Sequence, residues 1–185
     1  MNRINLYVGC MYSGKTSELI KECRKSQLIK KKVLTINYIG DNRYSESSYA
    51  MSHNMDKVEC IKVNKLSDIP NNQILNTDYI FIDEGQFYPD LLEYVLFWGE
   101  TYKKNIYVFG LVSDYKRNKF GQILDLIPYC DKIHKLDALC IKCNDGTEAI
   151  FSHRLSNEDE QNVIGSSNYI SVCRKHYLDL TNKNC

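Results

Sequence analysis

The residues of this chain most suited to chemistry form a glycine-rich segment close to its N-terminus. Residues 9–16, GCMYSGKT, match the pattern G-x-x-x-x-G-K-T through Gly9, Gly14, Lys15 and Thr16. Such a loop points backbone N–H groups at phosphate oxygens, and the following helix adds its positive N-terminal end. Lys15 would neutralise charge on the β- and γ-phosphates, and the Thr16 hydroxyl would ligate Mg²⁺.

The segment lies between a β-rich run and a helical pattern, which is the context that a phosphate-binding loop requires. The alternative is a glycine-rich turn without function, because the bare pattern also occurs by chance. We predict that the loop holds the phosphates of ATP, with contacts from Gly9, Met11, Tyr12, Ser13, Gly14, Lys15, Thr16 and Ser17.

Two acidic residues, Asp83 and Glu84, follow the apolar run at residues 79–82. Ligands of open α/β sheets bind outside the carboxyl ends of the strands, so Asp83 is expected to complete the Mg²⁺ site with Thr16. Glu84 is suited to be a base that orients water or accepts a hydroxyl proton. The alternative for Glu84 is a helix cap or a solvated charge. These residues alone do not decide between water and a substrate hydroxyl as the nucleophile.

Paired cysteine and histidine residues mark the C-terminal part of the chain. Cys140 and Cys143 form one C-x₂-C pair, and Cys173 and His176 form a C-x₂-H pair. Thiolates and imidazole favour Zn²⁺, and four protein ligands leave no open position for water, so the prediction is a structural zinc. A redox role for the first pair is the alternative, and the matching second pair counts against it. His176 as an ordinary surface histidine is the other alternative.

The elements that must position these residues alternate between strand and helix. Short apolar, β-rich runs occur at residues 4–8, 33–38, 59–63, 79–82, 106–110 and 132–136, and helical patterns at about 15–30 and 90–103. Alternation of this kind predicts an α/β fold, a parallel sheet flanked by helices. Residues 40–57 are polar and aperiodic and are expected to be a long loop. We divide the chain into an α/β domain at 1–137, a zinc-binding lobe at 138–180 and a tail at 181–185.

Composition restricts the class of protein further. The 24 basic residues nearly balance the 23 acidic ones, so no general attraction to nucleic acid or membrane is implied. A secretory signal and an apolar stretch of about 20 residues are both missing, and a cytoplasmic location is the expectation. Scattered cysteines with apolar neighbours are interpreted as small buried side chains, namely Cys10, Cys23, Cys60 and Cys130.

Taken in order, the loop at 9–16, the DEGQF segment at 83–87, Phe120-Gly121 and the four zinc-ligand candidates closely resemble the type II (cellular and poxviral) thymidine kinases. The resemblance extends from about residue 3 to 178. It implies a P-loop NTPase-like kinase domain and a zinc lobe that carries a lasso loop over the nucleoside. It also implies ATP-dependent phosphorylation of the thymidine 5′-hydroxyl to dTMP in deoxynucleotide salvage. Deoxyuridine would be a second substrate, the assembly a homotetramer, and dTTP the feedback inhibitor.

The same resemblance assigns roles to individual residues. Glu84 matches the general base and Asp83 the aspartate associated with Mg²⁺. Aromatic rings past the carboxylates and in later loops, among them Phe87, Tyr115 and Tyr169, are suited to sandwich a base. The positions that match the family's substrate site are Met11, Asp41, Arg43, Gln86, Phe87, Leu111, Tyr115, Phe120, Ser152, Val163, Ile164, Gly165 and Tyr169.

The chain departs from the family pattern at two places near the site. Cys10 stands where the family usually has proline, so a slightly looser loop is expected. The segment at 111–120 lacks the family's usual Leu-Asp and Pro-Phe pairs, which affects the expected shape of the base pocket.

Two other functional classes remain open. A nucleic-acid-binding ATPase would read its target with the zinc lobe, although basic residues beside the cysteine pairs are few. A catalytically inactive relative is the other, and the intact set of Lys15, Thr16, Asp83 and Glu84 argues against it.

Overall fold

A computed structural model of the chain describes residues 2–40, 49–51, 56–156, 160–161 and 168–182. The strands are β1 (Ile4–Gly9), β2 (Val33–Tyr38), β3 (Tyr49–Met51), β4 (Lys57–Glu59), β5 (Ile61–Val63), β6 (Tyr79–Ile82), β7 (Asn105–Gly110), β8 (Lys132–Leu136), β9 (Ala138–Leu139), β10 (Glu148–Ala149), β11 (Phe151–Arg154) and β12 (Tyr169–Val172). The helices are α1 (Lys15–Leu28), α2 (Asn71–Leu75), α3 (Leu91–Leu96) and α4 (Arg174–Asn182). Shorter 3₁₀ turns lie at Leu66–Asp68, Gly85–Phe87 and Leu124–Tyr129.

The centre of the fold is a six-stranded sheet in the order β5-β2-β6-β7-β1-β8. Every neighbouring pair in it is parallel. Parallel strands present their carboxyl ends at one edge, so the segments after β1, β6 and β7 meet there. This edge therefore receives the glycine-rich loop, the pair Asp83 and Glu84, and Leu111.

The sheet is buried on both faces because its strands alternate between two apolar clusters. Even-numbered residues of the central strands, such as Leu6, Ile80 and Ile106, pack on one face with α3 and Trp98. Odd-numbered residues, such as Tyr7 and Phe81, pack on the other face beneath α1. These features confirm the predicted α/β class.

Aromatic rings form a stacked row on the face covered by α1. Tyr7 stacks on Phe109 at 4.5 Å and on His134 at 4.2 Å between ring centroids. Phe81 stacks on Tyr107 at 4.7 Å in the neighbouring strands. Burial, with a smaller contribution from the charge of Glu22, raises the pKa of Tyr7 to about 12.

The predicted helix at 90–103 is present but changes type in its second half. The α-helix ends at Leu96, and Phe97–Thr101 continues as a π-helical turn. Gly99 lies in that turn, where an added Cβ would approach the Ile4 side chain to 3.0 Å. The wider turn brings this glycine directly onto the sheet. At the other end of the fold, α1 ends at Leu28, two residues earlier than predicted.

The predicted strand at 59–63 is two strands in the structure. Lys57–Glu59 pairs antiparallel with Tyr49–Met51, and Ile61–Val63 joins the parallel sheet beside β2. The loop predicted at 40–57 therefore contains a short hairpin strand. Cys60, buried between the two strands, is where the chain changes partner.

Beyond β8 the chain forms a small lobe of two antiparallel hairpins and α4. Strand β9 pairs with β10, and β11 pairs with β12. Its core includes Ala149, Val172 and Tyr177, together with Cys10 from the glycine-rich loop. Cys10, Cys23 and Cys60 are buried as predicted, but Cys130 is only half-buried. Among the helices in the part of the chain that the structure describes, none combines the length and apolarity that a membrane crossing needs.

Candidate active site and metal centre

The glycine-rich loop leads from β1 into α1 with a left-handed residue at the junction. Gly14 is the N-cap of α1, with φ 80° and ψ 16°, a conformation that residues with a Cβ adopt only under strain. Glycine has no side chain to bond the first N–H groups of the helix. These N–H groups and the positive end of α1 are the features that bind anions at helix N-termini.

Two polar side chains of α1 complete the loop. The Lys15 Nζ donates hydrogen bonds to the carbonyls of Gly9, at 3.2 Å, and Cys10, at 2.7 Å. The Thr16 hydroxyl donates to Asp83 Oδ2 at 3.2 Å across the sheet edge. A hydroxyl oxygen beside a carboxylate offers the hard oxygen ligands that Mg²⁺ prefers. The structure thus brings together the two residues predicted as Mg²⁺ ligands.

Glu84 is held by an amide two residues further along the chain. It is 8% exposed and has left-handed backbone angles, φ 53° and ψ 41°. Gln86 Nε2 donates to Glu84 Oε2 at 2.6 Å, and Gln86 Oε1 accepts the Leu111 N–H at 2.9 Å. The backbone N–H must meet an oxygen, so the orientation of the amide is fixed. Gln86, predicted as a substrate contact, joins the carboxylate of Glu84 to the end of β7.

Gly121 explains the Phe120-Gly121 motif in steric terms. Its φ is +60°, and an added Cβ would lie 2.2 Å from the Gln86 carbonyl oxygen. Any larger residue there would push on the backbone of Gln86 and so on the carboxylate that its amide holds.

Aromatic side chains that follow Glu84 in the chain pack on one another. Phe87 stacks on Tyr38 at 4.7 Å and meets Phe120 edge-on at 5.4 Å. Tyr38 ends β2 and was missed in the sequence, where it reads as the last residue of an ordinary buried strand. The three rings present flat apolar surface suited to a planar ligand.

The glycine-rich loop is also bonded to the C-terminal lobe. The Met11 N–H donates to Ser152 Oγ at 2.9 Å, and the Cys10 thiol donates to the Ala149 carbonyl at 3.3 Å. Cys10 is buried, and burial raises the pKa of its thiol. Cys10, which stands where the family pattern has proline, thus holds the loop through a buried side chain.

The segment at 111–120 forms a tight turn around a buried carboxylate. Asp114 Oδ1 accepts the N–H groups of Lys116 and Asn118 at 2.9 and 2.8 Å. The Tyr177 hydroxyl, from α4, donates to the Tyr115 carbonyl at 2.7 Å. The substituted segment is therefore ordered by contacts of its own and tied to the lobe.

Arg154 is a buried residue of this region that sequence reasoning missed. It is 4% exposed, its guanidinium carbon lies 3.8 Å from the centroid of the Tyr115 ring, and its Nε donates to the Tyr169 hydroxyl at 3.1 Å. Tyr115 and Tyr169, both predicted as substrate contacts, are thereby joined. No motif marks Arg154 in the sequence.

The four predicted zinc ligands converge on one point. The ligand atoms of Cys140, Cys143, Cys173 and His176 all lie within 4.8 Å of one another. The Sγ atoms of Cys143 and Cys173 are 3.8 Å apart, and the three sulfurs lie 3.4–3.5 Å from His176 Nδ1. A tetrahedral zinc with ordinary bond lengths sets its sulfurs about 3.8 Å apart and each about 3.6 Å from the nitrogen. The geometry of the cluster is compatible with a structural zinc.

The remaining predicted residues of the phosphate-binding segment differ in exposure. Tyr12 and Ser17 are exposed on the glycine-rich loop and the first turn of α1, whereas Ser13 Oγ is buried. Five predicted substrate contacts lie outside the described residues: Asp41, Arg43, Val163, Ile164 and Gly165.

Comparison with known proteins gives a consistent result over almost the whole chain. A family model described as thymidine kinase matches residues 2–177. The thymidine kinase of vaccinia virus (strain Western Reserve) is 40% identical over 177 residues, which cover 95% of this chain and 97% of that protein. The thymidine kinases of monkeypox virus and of variola virus (isolate Human/India/Ind3/1967) show the same identity and coverage.

Proposed function

The chain belongs to the thymidine kinase family, and we propose that it transfers the γ-phosphoryl group of ATP to the 5′-hydroxyl of thymidine, giving dTMP. The observation that carries this proposal is the buried Glu84 carboxylate. It follows β6 directly after Asp83, which itself contacts Thr16 at the mouth of the phosphate-binding loop. The candidate base and the candidate ligands of Mg²⁺ thus lie at one sheet edge, an arrangement that supports phosphoryl transfer to a hydroxyl.

In the proposed mechanism, Glu84 accepts the proton of the 5′-hydroxyl as that oxygen attacks the γ-phosphorus. Gln86 keeps the carboxylate aimed at the hydroxyl. The N–H groups of the loop and Lys15 hold the phosphates, and Thr16 and Asp83 hold Mg²⁺. The metal ion neutralises charge on the phosphate oxygens when it is bound.

For the nucleoside, we propose that the base lies between aromatic walls. Support comes from Phe87 and Phe120, whose rings meet edge-on with their centroids 5.4 Å apart. Deoxyuridine is a proposed second substrate, because a single methyl group is worth only about 1–3 kcal/mol of discrimination. Cytosine reverses the donor and acceptor pattern of the ring edge and would leave buried polar groups unpaired. The proposed base-pocket contacts are Met11, Phe87, Leu111, Tyr115, Phe120, Ser152 and Tyr169, with Val163, Ile164 and Gly165 from the lasso loop and Asp41 and Arg43 near the phosphates.

We propose that Cys140, Cys143, Cys173 and His176 bind a structural Zn²⁺ that organises a lobe at residues 138–180, beside the kinase domain at 1–137 and a tail at 181–185. Support comes from the tetrahedral spacing of the ligand atoms. Tyr177 follows His176 on α4 and holds the Tyr115 carbonyl, so the metal would act on the nucleoside pocket through α4.

Family membership also supports a homotetramer inhibited by dTTP and located in the cytoplasm. β8 lies at one end of the sheet order, and Ile127, Tyr129 and Ile133 near it are 42–47% exposed, as in a strand edge that pairs with another subunit. The seven described cysteines form no disulfide with one another, in keeping with a reducing compartment. Light scattering measures the number of subunits.

Incubation with labelled ATP and a panel of nucleosides tests the function. Thymidine and deoxyuridine should become monophosphates, whereas deoxycytidine and the purine deoxynucleosides should not. Hydrolysis of ATP that is stimulated by DNA and indifferent to thymidine would instead support a nucleic-acid-dependent ATPase.

A further inference from the structure

Arg154 is a charged side chain that is almost completely buried. The side chain is 4% exposed at the end of β11. A buried charge is unfavourable unless hydrogen bonds replace the water that it loses. Arginine suits such a place because its planar fork can satisfy several acceptors at once and can also stack on aromatic rings.

Arg154 donates hydrogen bonds to two separate parts of the described chain. Nε and Nη2 both donate to the Tyr169 hydroxyl on β12. Nη1 donates to the Glu160 carbonyl, and Nη2 donates to the Gln161 carbonyl at 3.1 Å. The guanidinium thus joins β12 to the backbone at 160–161.

A third part of the chain packs on the face of the guanidinium. The Tyr115 ring lies 3.8 Å from the guanidinium carbon, a distance at which cation–π attraction is strong. Tyr115 belongs to the turn built around Asp114, and Gln161 Nε2 donates to Asp114 Oδ2 at 3.0 Å. The same Nε2 also donates to the Lys119 carbonyl at 3.2 Å. The turn at 113–119 and the backbone at 160–161 are therefore connected through both Arg154 and Gln161.

We propose that Arg154 is the positioning residue of the nucleoside pocket, because it fixes Tyr115 and Tyr169 relative to one another before the substrate binds. The inference rests on the proposed function only in taking these two tyrosines as walls of that pocket. The edge of the Arg154 guanidinium donates hydrogen bonds to Tyr169, and its face packs on the Tyr115 ring. Together the two contacts hold the rings in one arrangement. Substitution of Arg154 should therefore lower the affinity for the nucleoside and leave ATP binding unchanged.

Steady-state kinetics of Arg154→Met tests the proposal. The Michaelis constant for thymidine should rise roughly 10- to 100-fold, as for loss of buried charge-assisted hydrogen bonds, while that for ATP changes less than about twofold. Arg154→Lys keeps the charge and loses the fork, so it should recover only a small part of the affinity. Arg174→Met is the matched control, because Arg174 lies over the Phe151 ring of the same lobe at 5.0 Å but is exposed. It should leave both Michaelis constants unchanged.

A double-mutant cycle covers the case in which Arg154→Met folds poorly. Tyr169→Phe removes only the acceptor hydroxyl and should weaken nucleoside binding on its own. With Arg154→Lys in the background, the same change should add little, because the pair has already been broken. Strictly additive effects, or equal losses of thymidine and ATP affinity, would overturn the proposal.

These outcomes are separable from a failure of the proposed function. A wild-type protein that does not phosphorylate thymidine contradicts that function. The cycle is then run by equilibrium binding with whichever nucleoside of the panel binds, and coupling between Arg154 and Tyr169 still decides the inference.

Discussion

At the residue scale, the aim of the Glu84 carboxylate depends on the Gln86 amide. Glu84 has left-handed backbone angles between β6 and a 3₁₀ turn. Gln86 bonds the Glu84 carboxylate through one end of its amide and the Leu111 N–H through the other. The end of β7, which lies between β6 and β1, therefore helps to orient the carboxylate of the proposed base.

Replacing Glu84 by glutamine should remove the proton acceptor and leave the shape of the site intact. We expect kcat to fall by about 10²- to 10⁴-fold, as for loss of a general base, with thymidine and ATP binding retained. Single-turnover kinetics and equilibrium binding measure the two effects separately. A variant with near-normal kcat would show that another group accepts the proton.

Gln86→Met tests the positioning role of the amide. The variant keeps the volume of the side chain but frees the carboxylate, and kcat should fall about 10- to 100-fold because a small misplacement of a reacting group is that costly. Michaelis constants should change little. Gln122→Met is the control, since Gln122 Oε1 likewise accepts a backbone N–H, but that of Leu92 in α3 rather than that of Leu111. Equal losses of kcat in the two variants would contradict the assignment.

At the scale of elements, α4 links the candidate metal centre to the proposed nucleoside pocket. His176 and Tyr177 are successive residues: the first contributes Nδ1 to the cysteine cluster and the second bonds the Tyr115 carbonyl. The lobe also bonds the glycine-rich loop through Ala149 and Ser152. The lobe makes more contacts with the proposed nucleoside pocket, including those of Arg154, than with the glycine-rich loop. Loss of the metal should therefore weaken thymidine binding more than ATP binding.

Removal of zinc by a chelator should therefore weaken thymidine binding strongly and ATP binding weakly. The six-stranded sheet has its own core, so most secondary structure should remain in circular dichroism. Cys173→Ser should behave like the chelated protein. His176→Cys is the matched comparison, because a four-cysteine site also binds zinc, and it should retain metal and nucleoside affinity. Full thymidine affinity in metal-free Cys173→Ser would show that zinc does not organise the pocket.

Elements with a regular pattern could be predicted, and those shaped by tertiary contacts could not. The central strands are identifiable because both faces are apolar, as the alternation of Ile80, Phe81 and Ile82 between two clusters illustrates. The π-turn at Phe97–Thr101 depends on Gly99 packing on Ile4, a contact between residues far apart in the chain. Arg154 could not be found either, because a single arginine in a strand reads as solvent-exposed until its partners are known.

At the scale of the whole molecule, the stacked aromatic row under α1 connects folding stability to pH. The pKa of Tyr7 rises from its usual 10.0 to about 12 in the folded protein, chiefly because of burial. A raised folded pKa means that the neutral phenol stabilises the fold below pH 10, and that this contribution is lost as the pH rises through 12. Burial raises the pKa of Tyr107 as well.

Alkaline unfolding should therefore begin between pH 10 and 12 and depend on the Tyr7 hydroxyl. Tyr7→Phe keeps the stacking on Phe109 and His134 but cannot ionise, so it should lose less stability across this interval. Urea denaturation at a series of pH values from 9 to about 12 measures the difference. Parallel loss of stability in the two proteins would assign the alkaline transition to other groups.

The burial of Cys10 in the core of the C-terminal lobe has a consequence for recombination between related enzymes. A crossover at residue 137 would exchange the lobe and leave behind Cys10 and Met11, which fill and bond it from the far end of the sequence. Such a chimera would join a foreign Ala149 and Ser152 to a loop shaped for their native counterparts. Functional exchange of lobes requires residues 10–11 to travel with them, so the modular unit is discontinuous in the gene although it is compact in space.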